Sequence, residues 1–226
     1  MDGVVSLGCG SKEIATQAYV LMLVSLNDSW KMSLGYFLIN GITAEQSANI
    51  IKTCLKKCAT VEIDVVCLTF DGCTSNLATA NILGCNLDEP ADLKTTFTHP
   101  STGQPVAIIL YPCHMVKLIR DTLESKQQLI DHTGQSVQWR YIEELKKVQD
   151  NLGLHFANKL NERHLKFRNN MSVKLATQLL SNSVAKAIQL CEEVLNIPEF
   201  NDSAATFNFI KIMNDLFEVL NAFARF

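Results

Sequence analysis

The run Ile63-Asp64-Val65-Val66-Cys67-Leu68-Thr69-Phe70, closed by Asp71-Gly72, is apolar almost without interruption after Asp64. A half-exposed strand alternates apolar and polar residues, whereas a continuous apolar, β-branched run marks a strand covered on both faces. The pattern predicts a buried, central strand that stops at the Asp-Gly turn. Working outward, Pro105 to Tyr111 (PVAIILY) reads as a second buried strand ending in Pro112-Cys113-His114, with Met115 to Leu123 helical after it. Towards the N-terminus, Ala18–Leu26 and Met32–Ile39 flank Asn27-Asp28-Ser29, the composition of a β-hairpin and its turn. Thr43 and Gln46 have the spacing of a capping box, and Ala44, Ala48, Ile51, Leu55 and Cys58 then fall on one helical face. The first half is therefore α/β with mixed strand directions.

From about residue 126 the composition changes. Lys126 to Gln138 is a polar connector containing Gly134, and beyond it strand signals nearly vanish. Trp139–Leu152, Ser172–Leu195 and Ala204–Phe223 carry apolar residues at helical period, with Gly153 as a helix stop and Pro198 in the last connector. The expected organisation is an α/β domain over residues 1–125 and an all-α domain over 126–226.

Composition narrows the function classes. The chain has 226 residues, 47% of them hydrophobic and 19% charged, which excludes global disorder. A net charge of −3 offers no overall grip on nucleic acid or anionic lipid, so any such grip is local. The longest apolar stretch, Ala18 to Val24, falls far short of the roughly 20 residues of a membrane span, and no secretory signal pattern precedes it. Eight cysteines without a CxxC pair point to reduced thiols and an intracellular setting.

Three features could carry chemistry. Asp71, at the carboxyl end of a buried strand, stands where open α/β sheets bind ligands and where a carboxylate suits Mg²⁺; it also fits a plain turn residue. His114 occupies the equivalent place after the second strand, as a ligand or as a hydrogen-bonded structural residue. Between Trp139 and Leu175 eight basic residues (Arg140, Lys146, Lys147, Lys159, Arg163, Lys166, Arg168, Lys174) face four acidic ones. Such an island either binds phosphates or forms solvated helix faces. Neither a G-x-x-x-x-G-K-[ST] loop nor a strand-linked G-x-G-x-x-G occurs, so a nucleotide needs another kind of pocket.

The wording of several segments is more specific. Ala15-Thr16-Gln17-Ala18 leading into YVLMLVSL, Trp30-Lys31 with GYFLI, LTFDGCTSN (68–76) and CHMVKLIRD (113–121) together resemble the transposase core of the P-element and THAP-domain transposase family. The run NKLNERHLKFRNNMSVKLATQLLSNSVA (158–185) looks like that family's GTP-binding insertion domain, and FNFIKIMNDLFEVLN (207–221) like its downstream helix.

The resemblance implies a partial RNase H-like fold, with a mixed sheet, interrupted by a helical GTP-binding insertion. It implies a nuclear enzyme that cuts and joins DNA with Mg²⁺ or Mn²⁺ held by two Asp and one Glu. Its partners would be transposon ends, target DNA and GTP, with a homo-oligomer left open. Asp71 looks like the second acid. At the first acid's place the chain reads Gly3-Val4-Val5-Ser6-Leu7-Gly8, so Ser6 stands where members have Asp, and Asp2 is the nearby carboxylate. The third acid would follow Phe226. The resemblance sets the guanine-nucleotide pocket around Met171, Ser172, Val173, Lys174 and Ser181, with Asp215 or Glu218 and Asn221. Members often have Lys where Ser172 stands and Asp where Glu218 stands. The chain by itself is expected neither to cleave nor to join DNA, as a fragment of such an enzyme or as a derived binding protein without catalysis.

Overall fold

In a computed structural model of the chain, residues 14–154, 156, 158–165 and 172–222 are described. The chain divides into two compact units, passing from the first to the second between Tyr111 and Pro112. Each is taken by itself.

The first unit opens with the expected hairpin. β1 (Gln17–Val24) and β2 (Lys31–Ile39) pair antiparallel, with Val20 opposite Tyr36 and an irregularity between Leu21 and Met22. Ser25 Oγ shapes the turn by accepting the Asp28 N–H at 2.9 Å. Tyr19, Leu21 and Leu23 are half-buried, while Val20, Met22 and Val24 on the opposite face are exposed. α1 (Ala44–Thr60) starts with a complete capping box, since Thr43 Oγ1 accepts the Gln46 N–H (3.2 Å) and Gln46 Oε1 accepts the Thr43 N–H (3.0 Å). Its inward face holds Ala48, Ile51, Leu55 and Cys58, as the spacing predicts. Ser47 joins them and ties the helix to the hairpin through Tyr19, Oη to Oγ 2.9 Å.

β3 (Cys67–Phe70) leads into α2 (Thr74–Leu83), and β4 (Thr96–Thr98) and β5 (Pro105–Leu110) complete a three-stranded sheet. β5 lies in the middle, parallel to β3 and antiparallel to β4. The expectation of a central strand at residues 63–70 is thus corrected: among the described residues β3 is an edge strand, four residues long, with Val66 45% exposed just before it. An apolar run does not distinguish a covered strand from an edge strand with one open face, because the run records residue types and not neighbours. Two core residues of the sheet, Val106 and Ile108, belong to β5. They pack with Ile51, Leu55, Ala80 and Phe97, and Leu21 of the hairpin packs against the same cluster. Neither α2 nor β4 was legible in the sequence. Gly84 ends α2 at φ +114°, a conformation that only glycine adopts without strain.

The second unit runs through α3 (Pro112–Lys126), β6 (Gln128–Ile130), β7 (Ser136–Gln138), α4 (Arg140–Leu152), α5 (Glu162–Leu165), α6 (Val173–Leu179), α7 (Asn182–Glu193) and α8 (Ala204–Ala222). The polar connector is a small antiparallel hairpin, where helices alone were expected. Asp131 Oδ1 builds its turn by accepting the N–H groups of Thr133 (2.8 Å) and Gln135 (2.9 Å), with Gly134 at φ +82°. These bonds, the Thr133 hydroxyl first, hold the Asp131 carboxyl below the usual carboxylate range.

The helix expected over Ser172–Leu195 is two helices. Leu180 closes α6, and Ser181 starts α7 by accepting the Val184 N–H on its hydroxyl. The core joins Leu123, Trp139, Tyr141, Ile142, Leu145, Leu179, Ile188, Phe200 and Ile210. Tyr141 is fully buried yet satisfied: its hydroxyl donates to Asn201 O at 2.6 Å and accepts from Arg140 at 2.7 Å. Among the described residues no helix is long and apolar enough to cross a membrane.

Candidate functional site

The end of β3 is a built turn. Asp71 follows the last strand residue, and its Oδ1 accepts the Cys73 N–H (3.1 Å) and the Asn76 side-chain amide (2.9 Å). The same amide reaches Asp71 O at 3.3 Å. This is an Asx turn that leads the chain into α2. Next to it β5 ends in register, Phe70 opposite Leu110, and the Tyr111 N–H donates to Phe70 O at 2.8 Å. Asp71 is exposed at the carboxyl end of the parallel pair, where ligands of α/β sheets bind. Among the described residues no group of three His, Cys, Asp or Glu side chains stands close enough to hold a metal. Asp71 supplies one carboxylate of the several oxygens that a near-octahedral Mg²⁺ site takes, and the described residues supply no companions. Asp2 and Ser6 lie outside the described residues. His114 lies in α3, half-buried in the second unit.

The seven described cysteines are free, and burial pushes Cys54, Cys58, Cys67, Cys85 and Cys191 up from the ordinary thiol value.

Of the predicted nucleotide residues, three line two cavities of the second unit, Asp215 lines neither, and Met171 lies outside the described residues. Glu218 of α8 lines one of about 250 Å³, together with Asn214 and Phe217 of α8, Thr177 and Leu180 near the end of α6, and Val116. Asn214 organises this corner. Its Oδ1 accepts the Asn182 N–H at 3.2 Å, and its amide donates to Glu218 (3.1 Å) and Asp215 (3.2 Å). Ser181 is spent locally, with Oγ bonded to Gln178 O (2.8 Å) and Ser183 Oγ (3.0 Å). Val173 is half-buried on α6, Asn221 half-buried near the end of α8, and neither lines a cavity described here.

Ser172 and Lys174 line the other cavity, of about 530 Å³, whose wall also carries Asn158, Lys159, Arg163, His164 and Gln178. The basic island is sorted by its surroundings. Lys146, only 8% exposed, is tied to Asp150 and lies 3.7 Å from Glu162, and Lys147 pairs with Glu144 at 2.7 Å. Arg140 stacks over the Tyr141 ring at 4.5 Å. Lys159, Arg163 and Lys174 converge on the cavity, and Lys166 and Arg168 lie outside the described residues. The charge count, which could not separate phosphate binding from solvated helix faces, thus hides a division of labour.

Comparison with known proteins gives the family. Residues 113–226 match the family model described as TNP-like, GTP-binding insertion domain, and residues 1–84 match TNP-like, RNase H N-terminal domain. The chain belongs to the P-element and THAP-domain transposase family. It is 28% identical to human DNA transposase THAP9 over 98% of its length, and 26% identical to the Drosophila melanogaster transposable element P transposase over 87%. It spans about a quarter of the length of either relative. The solved Drosophila P element transposase strand transfer complex superposes with a TM-score of 0.75 at 25% identity, covering 92% of this chain and 45% of that one. For this transposase-family chain, Asp71 falls in the RNase H N-terminal match and both cavities in the GTP-binding insertion match. Asn158, Gln178 and Asn214 were missed in the sequence, since a single amide carries no pattern until folding shows what its other end bonds.

Proposed function

We propose that this chain serves in cutting and joining DNA as a piece of a nuclear transposase: the N-terminal part of an RNase H-like domain, followed by a helical insertion that binds a guanine nucleotide. The observation that carries this is the tandem order of the two family matches on a fold that superposes on a transposase with a TM-score of 0.75. DNA, as transposon ends and target, is the proposed partner.

Asp71 is the residue of this chain proposed to face that DNA chemistry. Its turn holds the carboxylate at the strand end by two donors, Cys73 N–H and Asn76. The Mg²⁺ or Mn²⁺ of such a reaction would draw its other ligands from outside the described residues. In a strand-transfer assay on the gene product carrying this sequence, Asp71→Asn is expected to abolish turnover; full activity of that variant removes Asp71 from the chemistry.

For the nucleotide, the donor set fits guanine at the corner of α6 and α8. The Glu218 carboxylate can accept the guanine N1–H and N2–H₂ donors. Adenine presents no such donor pair. Calorimetry is expected to rank GTP and GDP at least about tenfold above ATP, with Glu218→Ala erasing the difference, because a site built for hydrogen bonds rejects analogues that leave them unpaired. Equal binding of GTP and ATP would overturn the guanine assignment.

A further inference from the structure

The sequence contains one Asn-Gly step, Asn40-Gly41, and folding places it in the connector between β2 and α1. Both residues are exposed. Gly41 stands at φ +85°, and nothing lies within 4 Å of the place a Cβ would take, so no neighbouring group crowds the glycine. An asparagine followed by glycine carries a latent reaction. Without a Cβ on the second residue, its backbone nitrogen can swing onto the asparagine side-chain carbon and close a five-membered ring.

Thr16 adds a second observation. Its hydroxyl donates to Asn40 Oδ1 at 3.0 Å, and its backbone N–H donates to Ile39 O at 3.0 Å, so it is fixed to the junction at two points. Negative charge collects on Oδ1 when a nucleophile adds to the side-chain carbon, and a donor already in place stabilises that charge. Asn182-Ser183, the other described asparagine followed by a small residue, is placed differently. Asn182 is the first residue of α7, and its N–H is held by Asn214 Oδ1 at 3.2 Å. Helical side chains point back towards the N-terminus, away from the nitrogen that follows them.

We propose that Asn40 is a site of spontaneous deamidation, driven by Gly41 and assisted by the Thr16 hydroxyl. The Gly41 nitrogen gives its proton to water or hydroxide and bonds Asn40 Cγ, while Thr16 steadies the oxygen anion formed on Oδ1. The bond from Cγ to Nδ2 then breaks, and ammonia leaves with a proton from the solvent. A succinimide remains, with both carbonyl carbons on the Gly41 nitrogen. Water opens it on either side: breaking the Cγ bond leaves aspartate, and breaking the backbone carbonyl bond leaves isoaspartate, whose chain runs through Cγ. In sum one water is consumed and one ammonia released, without oxidation or reduction. The isoaspartate product adds a backbone atom between Ile39, buried at the end of β2, and Thr43, which caps α1.

The test holds the full chain in mildly alkaline buffer and follows each asparagine over time by peptide mass spectrometry. Isoaspartate in the Asn40 peptide is counted by methyl transfer from S-adenosylmethionine through an isoaspartyl methyltransferase. Asn40 is expected to convert at least about tenfold faster than Asn182. Thr16→Val should slow the conversion about threefold or more, the worth of one hydrogen bond, and Thr16→Ser, which keeps the hydroxyl, should hold the parent rate. Thr16 is exposed, so both variants should keep the fold, and urea midpoints equal to the parent chain's check it. Asn40→Gln, whose longer side chain needs a six-membered ring, should lose the signal from that peptide. Asn40 still an amide when Asn182 has converted, or Thr16→Val converting as fast as the parent chain, overturns the proposal.

Discussion

His164 Nε2 lies 3.2 Å from Gln178 Oε1, joining α5 to α6 through an imidazole that is 1% exposed. Nδ1 stands 3.1 Å from both the Asn161 backbone nitrogen and Asn161 Oδ1, so the buried ring is held at both of its nitrogens.

Stability should therefore fall on mild acidification. The folded-state pKa of His164 is lowered, first by burial, from an unfolded value of about 6.5. Above that value both states hold a neutral ring and the contribution is complete. As pH falls below it the unfolded chain takes up the proton first, and stability is lost until the folded-state value is passed. Urea denaturation at pH 7.5 and pH 5.5 should show that loss, and a smaller one in His164→Gln, which cannot titrate. An identical pH response in the two proteins would exclude His164 as the cause.

Thr43→Ala removes the hydroxyl that accepts the Gln46 N–H at the start of α1. The expected cost is about 1 kcal/mol. Denaturant midpoints check it, and Thr43→Ser, which restores the acceptor, should recover most of the loss.

Tyr141→Phe leaves the ring against Phe200 (centroids 6.3 Å apart) but orphans Asn201 O and one Arg140 donor. The loss should be about 1–3 kcal/mol, because a buried acceptor is left unpaired while the packing volume barely changes. Thermal unfolding measures it, and an unchanged Tm would mean water replaces the hydroxyl.

Asp71→Asn keeps an oxygen that can accept from Cys73 N–H and Asn76, so the turn should survive with stability changed by no more than about 0.5 kcal/mol. Asp71→Ala removes that acceptor and should cost more. Chemical denaturation of the pair tests whether Asn is the clean variant for separating chemistry from folding.

Gly84→Ala places a side chain at φ +114° with the new Cβ 3.9 Å from Phe97 Cβ. Space is adequate, so the expected loss of about 1–3 kcal/mol comes from the backbone. A variant as stable as the parent chain would show that the helix end relaxes.

Local rules read well where both partners lie within a few residues. The capping box of Thr43 and Gln46, the inward face of α1 and the β1–β2 hairpin were all legible, since each follows from spacing along one element. The place of β3 was not. Its pairing with β5 joins residues about forty apart, across a segment whose short β4 carries one buried side chain, Phe97. The break at Leu180–Ser181 was equally hidden, because apolar residues continue at helical period on both sides while Asn182 N–H bonds Asn214, thirty-two positions away.

By itself the order of residues determined the family, the α/β then helical plan, and Asp71 as a carboxylate at a strand end, because these depend on wording, periodicity and turn chemistry. Folding decided which of the clustered cations are neutralised and which converge: Lys146 is buried against Asp150 and Glu162, whereas Lys159 and Lys174, fifteen residues apart, line one cavity. The physical reason is that charge, burial and hydrogen-bond satisfaction belong to neighbourhoods in space, and a sequence orders residues only along the chain.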